Sequence, residues 1–129
     1  MVALARERLA SEAHRVRLWV GDAVRIDAPD ATYDAVFDFS IIHHVPTWRD
    51  ALREVYRVLK PGGRFYAEEV LCAFILHPLV RRVLEHPLED RFDHNGFRTA
   101  LEDQGFRVAA ERELVGSFAW YVADKPRTP

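Results

Sequence analysis

The chain has 129 residues, with 18 basic and 20 acidic side chains and a formal net charge of −2. This near-neutral balance, without a lysine or arginine run, excludes a polycationic tail, so no nucleic-acid partner is expected. Cys72 is the only cysteine, which excludes an internal disulfide and predicts a reducing, cytoplasmic setting; no apolar run is long enough to span a bilayer, so no membrane partner is expected.

Residues 2–13 are rich in Ala, Leu, Arg and Glu and predict a helix, with Val2, Ala5, Leu9 and Ala13 as its buried stripe. Residues 16–20 alternate apolar and basic side chains as a half-buried or edge strand does, and Gly21 ends it. Residues 33–39 read as a short apolar strand with acids inside it. Pro46 and Thr47 open the next helix. Thr47 and Asp50 have capping-box spacing, and Trp48, Leu52, Val55 and Leu59 recur on one face as core residues. Lys60-Pro61-Gly62-Gly63 stops that helix, because proline cannot continue it and glycine permits positive φ.

A strand follows over 64–71. Pro78 suits the first turn of a further helix, with Leu79, Val80, Val83 and Leu84 on its apolar side and His86-Pro87 closing it. Asp93 or Asn95 caps a last helix carrying Phe97, Ala100 and Leu101, and Gly105 is its C′ residue with Phe106 packing back. Residues 107–114 and 118–123 form a closing hairpin around Gly116-Ser117, and residues 124–129 are a polar tail. Helix–strand alternation followed by a hairpin predicts an α/β sheet with a parallel part and an antiparallel edge. The length suits a single domain over 1–129.

Three motifs follow one another at fixed intervals. They are Gly21-Asp22-Ala23, the strand Tyr33-Asp34-Ala35-Val36-Phe37-Asp38-Phe39 running into Ser40-Ile41-Ile42-His43-His44-Val45, and Arg57-Val58-Leu59-Lys60-Pro61-Gly62-Gly63. This series resembles the second half of class I S-adenosylmethionine-dependent methyltransferases. The resemblance implies a Rossmann-like α/β sheet with strand order 3-2-1-4-5-7-6 and strand 7 antiparallel. This chain would supply strands 3 to 7, as a partial methyltransferase domain. The family's glycine-rich cofactor loop has no counterpart, since no Gly-x-Gly occurs in these residues. With strands 1 and 2 absent, strand 4 has a bare edge. The expected outcomes are marginal stability, a homodimer through that edge, or strand 3 sliding beside strand 4.

The resemblance also implies S-adenosyl-L-methionine as cofactor and a small-molecule methyl acceptor, and it assigns cofactor contacts. Asp22 and Ala23 sit where the family binds adenine: a carboxylate accepts the exocyclic amine, and a small neighbour lets a backbone N–H approach the ring. Asp22 equally reads as an acid turning the loop after a strand. Asp38 and Phe39 fall at the carboxyl end of a parallel strand, where open α/β sheets bind ligands. In the family this segment lies against the methionine part and the sulfonium, and a carboxylate and an aromatic face both suit a cation. Asp38 otherwise accepts loop N–H groups, and Phe39 otherwise belongs to the core. His43 lines the pocket or acts as a base. No side chain is assigned a catalytic role, because methyl transfer from a sulfonium is an in-line displacement that the protein serves by positioning.

No metal site is expected, because adjacent His43 and His44 point apart. His77, His86 and His94 read as solvated. Arg81, Arg82 and Arg91 either form a solvated face or meet an acidic substrate. Two alternatives stand beside the methyltransferase reading: a non-catalytic remnant or interaction module of the same fold, and a nicotinamide oxidoreductase. The closing hairpin, the Lys-Pro-Gly-Gly turn and the absence of a Tyr-x-x-x-Lys pair stand against the second.

Overall fold

The computed structural model describes residues 2–83 and 90–127. It opens with helix α1, Val2–Arg8, followed by a 3-10 turn at Ala10–Glu12. The expected helix is therefore shorter, and α1 has no buried residue; Leu4 and Leu9 are both exposed. The expected strand over 16–20 does not form. Those residues are in no ladder, and Trp19 and Val20 face solvent. A strand needs a neighbour to satisfy its backbone groups, and neither the expected place in the sheet nor sliding beside the next strand provides one.

The sheet has four strands in the order β1-β2-β4-β3. Strand β1, Tyr33–Phe39, is parallel to β2, Leu59–Val70. Strands β3, Arg107–Leu114, and β4, Phe118–Asp124, form an antiparallel hairpin, and β4 pairs antiparallel with β2. This is the order expected for family strands 4-5-7-6. Only β2 pairs with β1, so the other edge of β1 has no strand partner among the described residues.

Helix α2, Trp48–Val58, connects β1 to β2. Its apolar repeat buries Trp48, Ala51, Leu52, Val55 and Val58 against the sheet. Thr47 makes no side-chain cap bond, so the expected capping box is not formed; the Asp50 carboxylate instead pairs with Arg53 at 2.9 Å. The helix stops at Val58, and the expected Lys-Pro-Gly-Gly turn lies within β2, which starts at Leu59 and not at Arg64; Leu59 is buried from the strand and not from the helix. Gly62 adopts φ +81°, and its N–H donates to the Lys125 carbonyl. The extra residues are absorbed by a register shift between Tyr33 and Ala35. Lys125 Nζ reaches back to the carbonyls of Tyr56 and Leu59 at 2.7 and 2.8 Å, satisfying acceptors at the end of α2.

After β2 come two single turns, α3 (Cys72–Ile75) and α4 (Val80–Val83). The helix expected from Pro78 is thus only a turn where described, and Leu84, His86 and Pro87 lie outside the described residues. Helix α5, His94–Asp103, is capped by Asp93, whose carboxylate accepts the Gly96 N–H at 2.7 Å. It ends in a Schellman motif. Gly105 at φ +96° donates to Glu102 O, and Phe106 donates to Leu101 O.

α2 and α5 pack on the same sheet face, where Trp48, Leu52, Phe97, Leu101, Phe65, Phe106 and Tyr121 form the core. The opposite face carries Phe37 and Phe39, both exposed; Phe37 stacks on Tyr66 with ring centres 4.8 Å apart.

Candidate functional site

Alternation along β1 decides which side chains meet at its carboxyl end. Asp38 turns towards the core and is 7% exposed, whereas Phe39 turns to the uncovered face and is 69% exposed. Ser40 follows at φ +57°, an unusual conformation for a residue with a side chain, and its N–H donates to Glu68 O at 2.7 Å. This sharp turn ends β1 and sends residues 41–44 across the top of β2 as a 3-10 turn at Ile42–His44.

That turn is held from below by Glu69. Inward positions of β2 run Phe65, Ala67, Glu69, so the carboxylate is delivered into the core and is fully buried. Its Oε1 accepts the Ile42 N–H at 2.8 Å and its Oε2 the His43 N–H at 3.2 Å. The same Oε2 lies 2.7 Å from His43 Nδ1, itself buried. Asp38 Oδ1 accepts the Ile41 N–H at 3.1 Å. Asp38 Oδ2 is buried and accepts no N–H or O–H. Arg91 Nη1 donates to the His43 carbonyl, so this guanidinium belongs to the cluster and not to a solvated face.

The electrostatics follow from burial. Desolvation, with Glu69 beside it, pushes the Asp38 carboxyl up to about 9, so Asp38 is a neutral acid near pH 7. Protonation turns the orphaned oxygen from an acceptor without a donor into a donor beside Glu69. Burial also raises Glu69, while the hydrogen bond from Asp38 and the backbone N–H groups favour its ionised form. Burial lowers His43 below the usual histidine range; Asp38 pulls the other way and the Arg91 charge acts with burial.

The other expected residues lie elsewhere. Asp22 is exposed, and its Oδ1 accepts the Val24 N–H at 3.0 Å, an Asx turn. Ala23 is half-buried against the core. The turn follows an open hollow of about 430 Å³ lined by Arg17, Trp19, Val20, Asp27 and Tyr33. Phe39 lines a shallow hollow of about 150 Å³ with Asp38, Tyr66 and Trp120. The structure therefore brings Asp38 and His43 into one hydrogen-bonded cluster, and does not join Asp22, Ala23 or Phe39 to it. Glu69 belongs to none of the sequence motifs, although its place in phase with Phe65 and Ala67 marks a core-facing acid. His94 is not solvated either: its Nδ1 lies 2.9 Å from Tyr121 Oη.

A family model described as a methyltransferase domain matches residues 1–67. The chain belongs to this methyltransferase domain family. It is 35% identical over 131 residues to the ubiquinone/menaquinone biosynthesis C-methyltransferase UbiE of Methylobacterium nodulans, covering all of this chain and 46% of that protein. It is 45% identical over 49 residues to the sterol 24-C-methyltransferase of Eremothecium gossypii, covering 38% of this chain and 13% of that protein. The chain spans less than half the length of these curated relatives. Among solved structures, an S-adenosylmethionine-dependent methyltransferase from Mesorhizobium loti superposes with a TM-score of 0.75 at 18% identity, over 94% of this chain and 74% of that one. The [4+2]-cyclase SpnF superposes with a TM-score of 0.76 at 18% identity, over 97% and 62%. These likenesses show the fold. The family assignment leaves the nicotinamide alternative without support. No helix among the described residues is long and apolar enough to cross a membrane.

Proposed function

We propose that this chain binds S-adenosyl-L-methionine and takes part in methyl transfer to a small molecule. The observation that carries the reading is the family match over 1–67, which spans the Asp22-Ala23 turn and β1 with its following loop. The donor set fits the cofactor in part. The Asx turn uses one Asp22 oxygen and leaves the other to accept an exocyclic amine, and Ala23 adds no bulk beside it. Phe39 offers an exposed ring at the carboxyl end of β1. Asp38 is neutral and brings no charge to a sulfonium; together with His43 it acts by holding the 41–44 turn in place.

The cofactor supplies the activated methyl group, and the residues of this chain orient and enclose the reactants. The names of the two relatives, a C-methyltransferase of quinone biosynthesis and a sterol 24-C-methyltransferase, favour a carbon acceptor on a lipophilic small molecule. We place the protein in the cytoplasm. The open edge of β1 makes a homodimer the expected assembly, which light scattering after size exclusion tests; a monodisperse monomer removes it.

A second reading, a module of the same fold without cofactor, is favoured by one observation: Asp38 is buried and bonded to the Ile41 N–H, so it offers no open carboxylate at the end of β1. Calorimetric titration of the chain with S-adenosylhomocysteine separates the two. Saturable binding that Asp22→Ala weakens on the order of tenfold supports the cofactor reading. No heat from protein shown to be folded supports the module.

A further inference from the structure

We propose that Glu69 is the positioning residue of the 41–44 turn, and that this one carboxylate fixes both the backbone path of Ile42 and His43 and the tautomer of the His43 ring. The naming of that turn as cofactor-facing rests on the proposed function; the positioning itself does not.

The geometry is over-determined. Three groups converge on Glu69 from the turn alone: the N–H donors of Ile42 and His43, and the ring nitrogen His43 Nδ1 at 2.7 Å. Asp38, on the neighbouring strand, lies beside Glu69 and accepts the Ile41 N–H at the start of the same turn. The turn needs such an anchor. It begins at Ser40 in a left-handed conformation, and the flanking Ile41 is exposed, so little apolar packing holds its entry. The two backbone N–H groups, one on each oxygen, favour the ionised form, which has acceptor sites and no proton of its own. The charged and titratable groups around it are Asp38 from β1, His43 in the turn, Arg91 on the approach to α5 and Tyr121 from β4. With a carboxylate oxygen at Nδ1, the ring proton has to sit on Nδ1, and Nε2 is the basic nitrogen.

Glu69→Gln tests this without the cofactor, because a carboxamide has only one oxygen. If its nitrogen replaces Oε1, the Ile42 N–H loses its acceptor. If its nitrogen replaces Oε2, it faces Nδ1 as a donor and forces the proton to Nε2. Long-range nitrogen–proton NMR correlation of the His43 ring at pH 7, with amide hydrogen exchange at Ile42, reads both. We expect the Nδ1–H tautomer in the wild-type chain. In Glu69→Gln we expect either the Nε2–H tautomer or exchange at Ile42 faster on the order of tenfold or more. Unchanged tautomer and unchanged exchange in a folded variant would overturn the proposal. If the variant does not fold, an Nε2–H or doubly protonated His43 in the wild-type chain overturns it. Titration of both proteins with S-adenosylhomocysteine adds the link to binding. A wild-type chain that binds nothing removes the cofactor reading and leaves the positioning result standing.

Discussion

Asp38 and Glu69 meet between two parallel strands as a neutral acid and a carboxylate, and the proton they hold ties stability to pH. Asp38 is raised from 3.8 to about 9, first by burial and then by Glu69. A carboxyl group raised on folding binds its proton more tightly in the native state. The stability it contributes is full below about pH 4 and is lost as pH climbs towards 9. Between pH 7 and 8.5 the neutral His43 adds little, because an unfolded histidine is also mostly neutral there. Urea unfolding of the wild-type chain should therefore lose stability with a slope approaching ~1.4 kcal/mol per pH unit in that window. Asp38→Asn keeps an acceptor for the Ile41 N–H and a donor for Glu69 without a titrating proton. We expect its profile to be flatter and its stability at pH 8.5 to exceed the wild type. Parallel slopes would show that Asp38 carries no proton in the fold.

Gly105 is the second place where one residue decides the local structure. Its φ of +96° closes the Schellman motif, and a Cβ there would lie 3.1 Å from Tyr56 Oη, tighter than ordinary packing. Gly105→Ala meets both a left-handed backbone and the Tyr56 ring. Chemical denaturation should show a loss of about 1–2 kcal/mol. A variant within a few tenths of the wild type would mean that the end of α5 rearranges freely.

What was readable in the sequence follows the range of the interactions. α2, the Asp93 cap, the Gly105 terminus and the hairpin rest on signals within a few residues, and each is where periodicity or turn chemistry places it. The strand expected over 16–20 has a suitable pattern, but a strand exists only through a partner, and pattern says nothing about partners. Thr47 shows the same limit at short range: the spacing suited a capping box, but Asp50 bonds to Arg53 instead. Within the site, Asp38 and His43 were legible as residue types at a strand end. The partner of His43 is Glu69, 26 residues away, and that acid becomes conspicuous only once the inward phase of β2 is known.

Arg57 holds the loop between the Asp22 turn and β1. Its guanidinium donates to the carbonyls of Ile26 and Ala28 and to Asp30 and Glu54, and Glu54 in turn accepts the Ile26 N–H at 2.9 Å. Lysine keeps the charge but lacks the planar fork that reaches several acceptors together. Arg57→Lys should raise amide exchange at Ile26 on the order of tenfold while exchange in the β2–β4 ladder stays as it is. Uniform exchange changes across the chain would indicate global destabilisation and not a local clamp.

The tip of the β3–β4 hairpin holds a removable strain. Val115 and Gly116 both adopt positive φ, 50° and 63°, and Ser117 N–H closes the turn on Leu114 O at 3.0 Å. Glycine suits this geometry, but a β-branched residue does not, and Val115 is 87% exposed, so no packing compensates. Asparagine is the residue such a two-residue turn favours before glycine. Val115→Asn should therefore stabilise the chain by about 1 kcal/mol, a rise in Tm of roughly 3–6 °C by calorimetry. Val115→Ala separates the causes. Alanine removes the branch but tolerates left-handed backbone poorly, so it should recover less than asparagine. If the two variants melt together, the gain comes from removing an exposed apolar side chain and not from the turn.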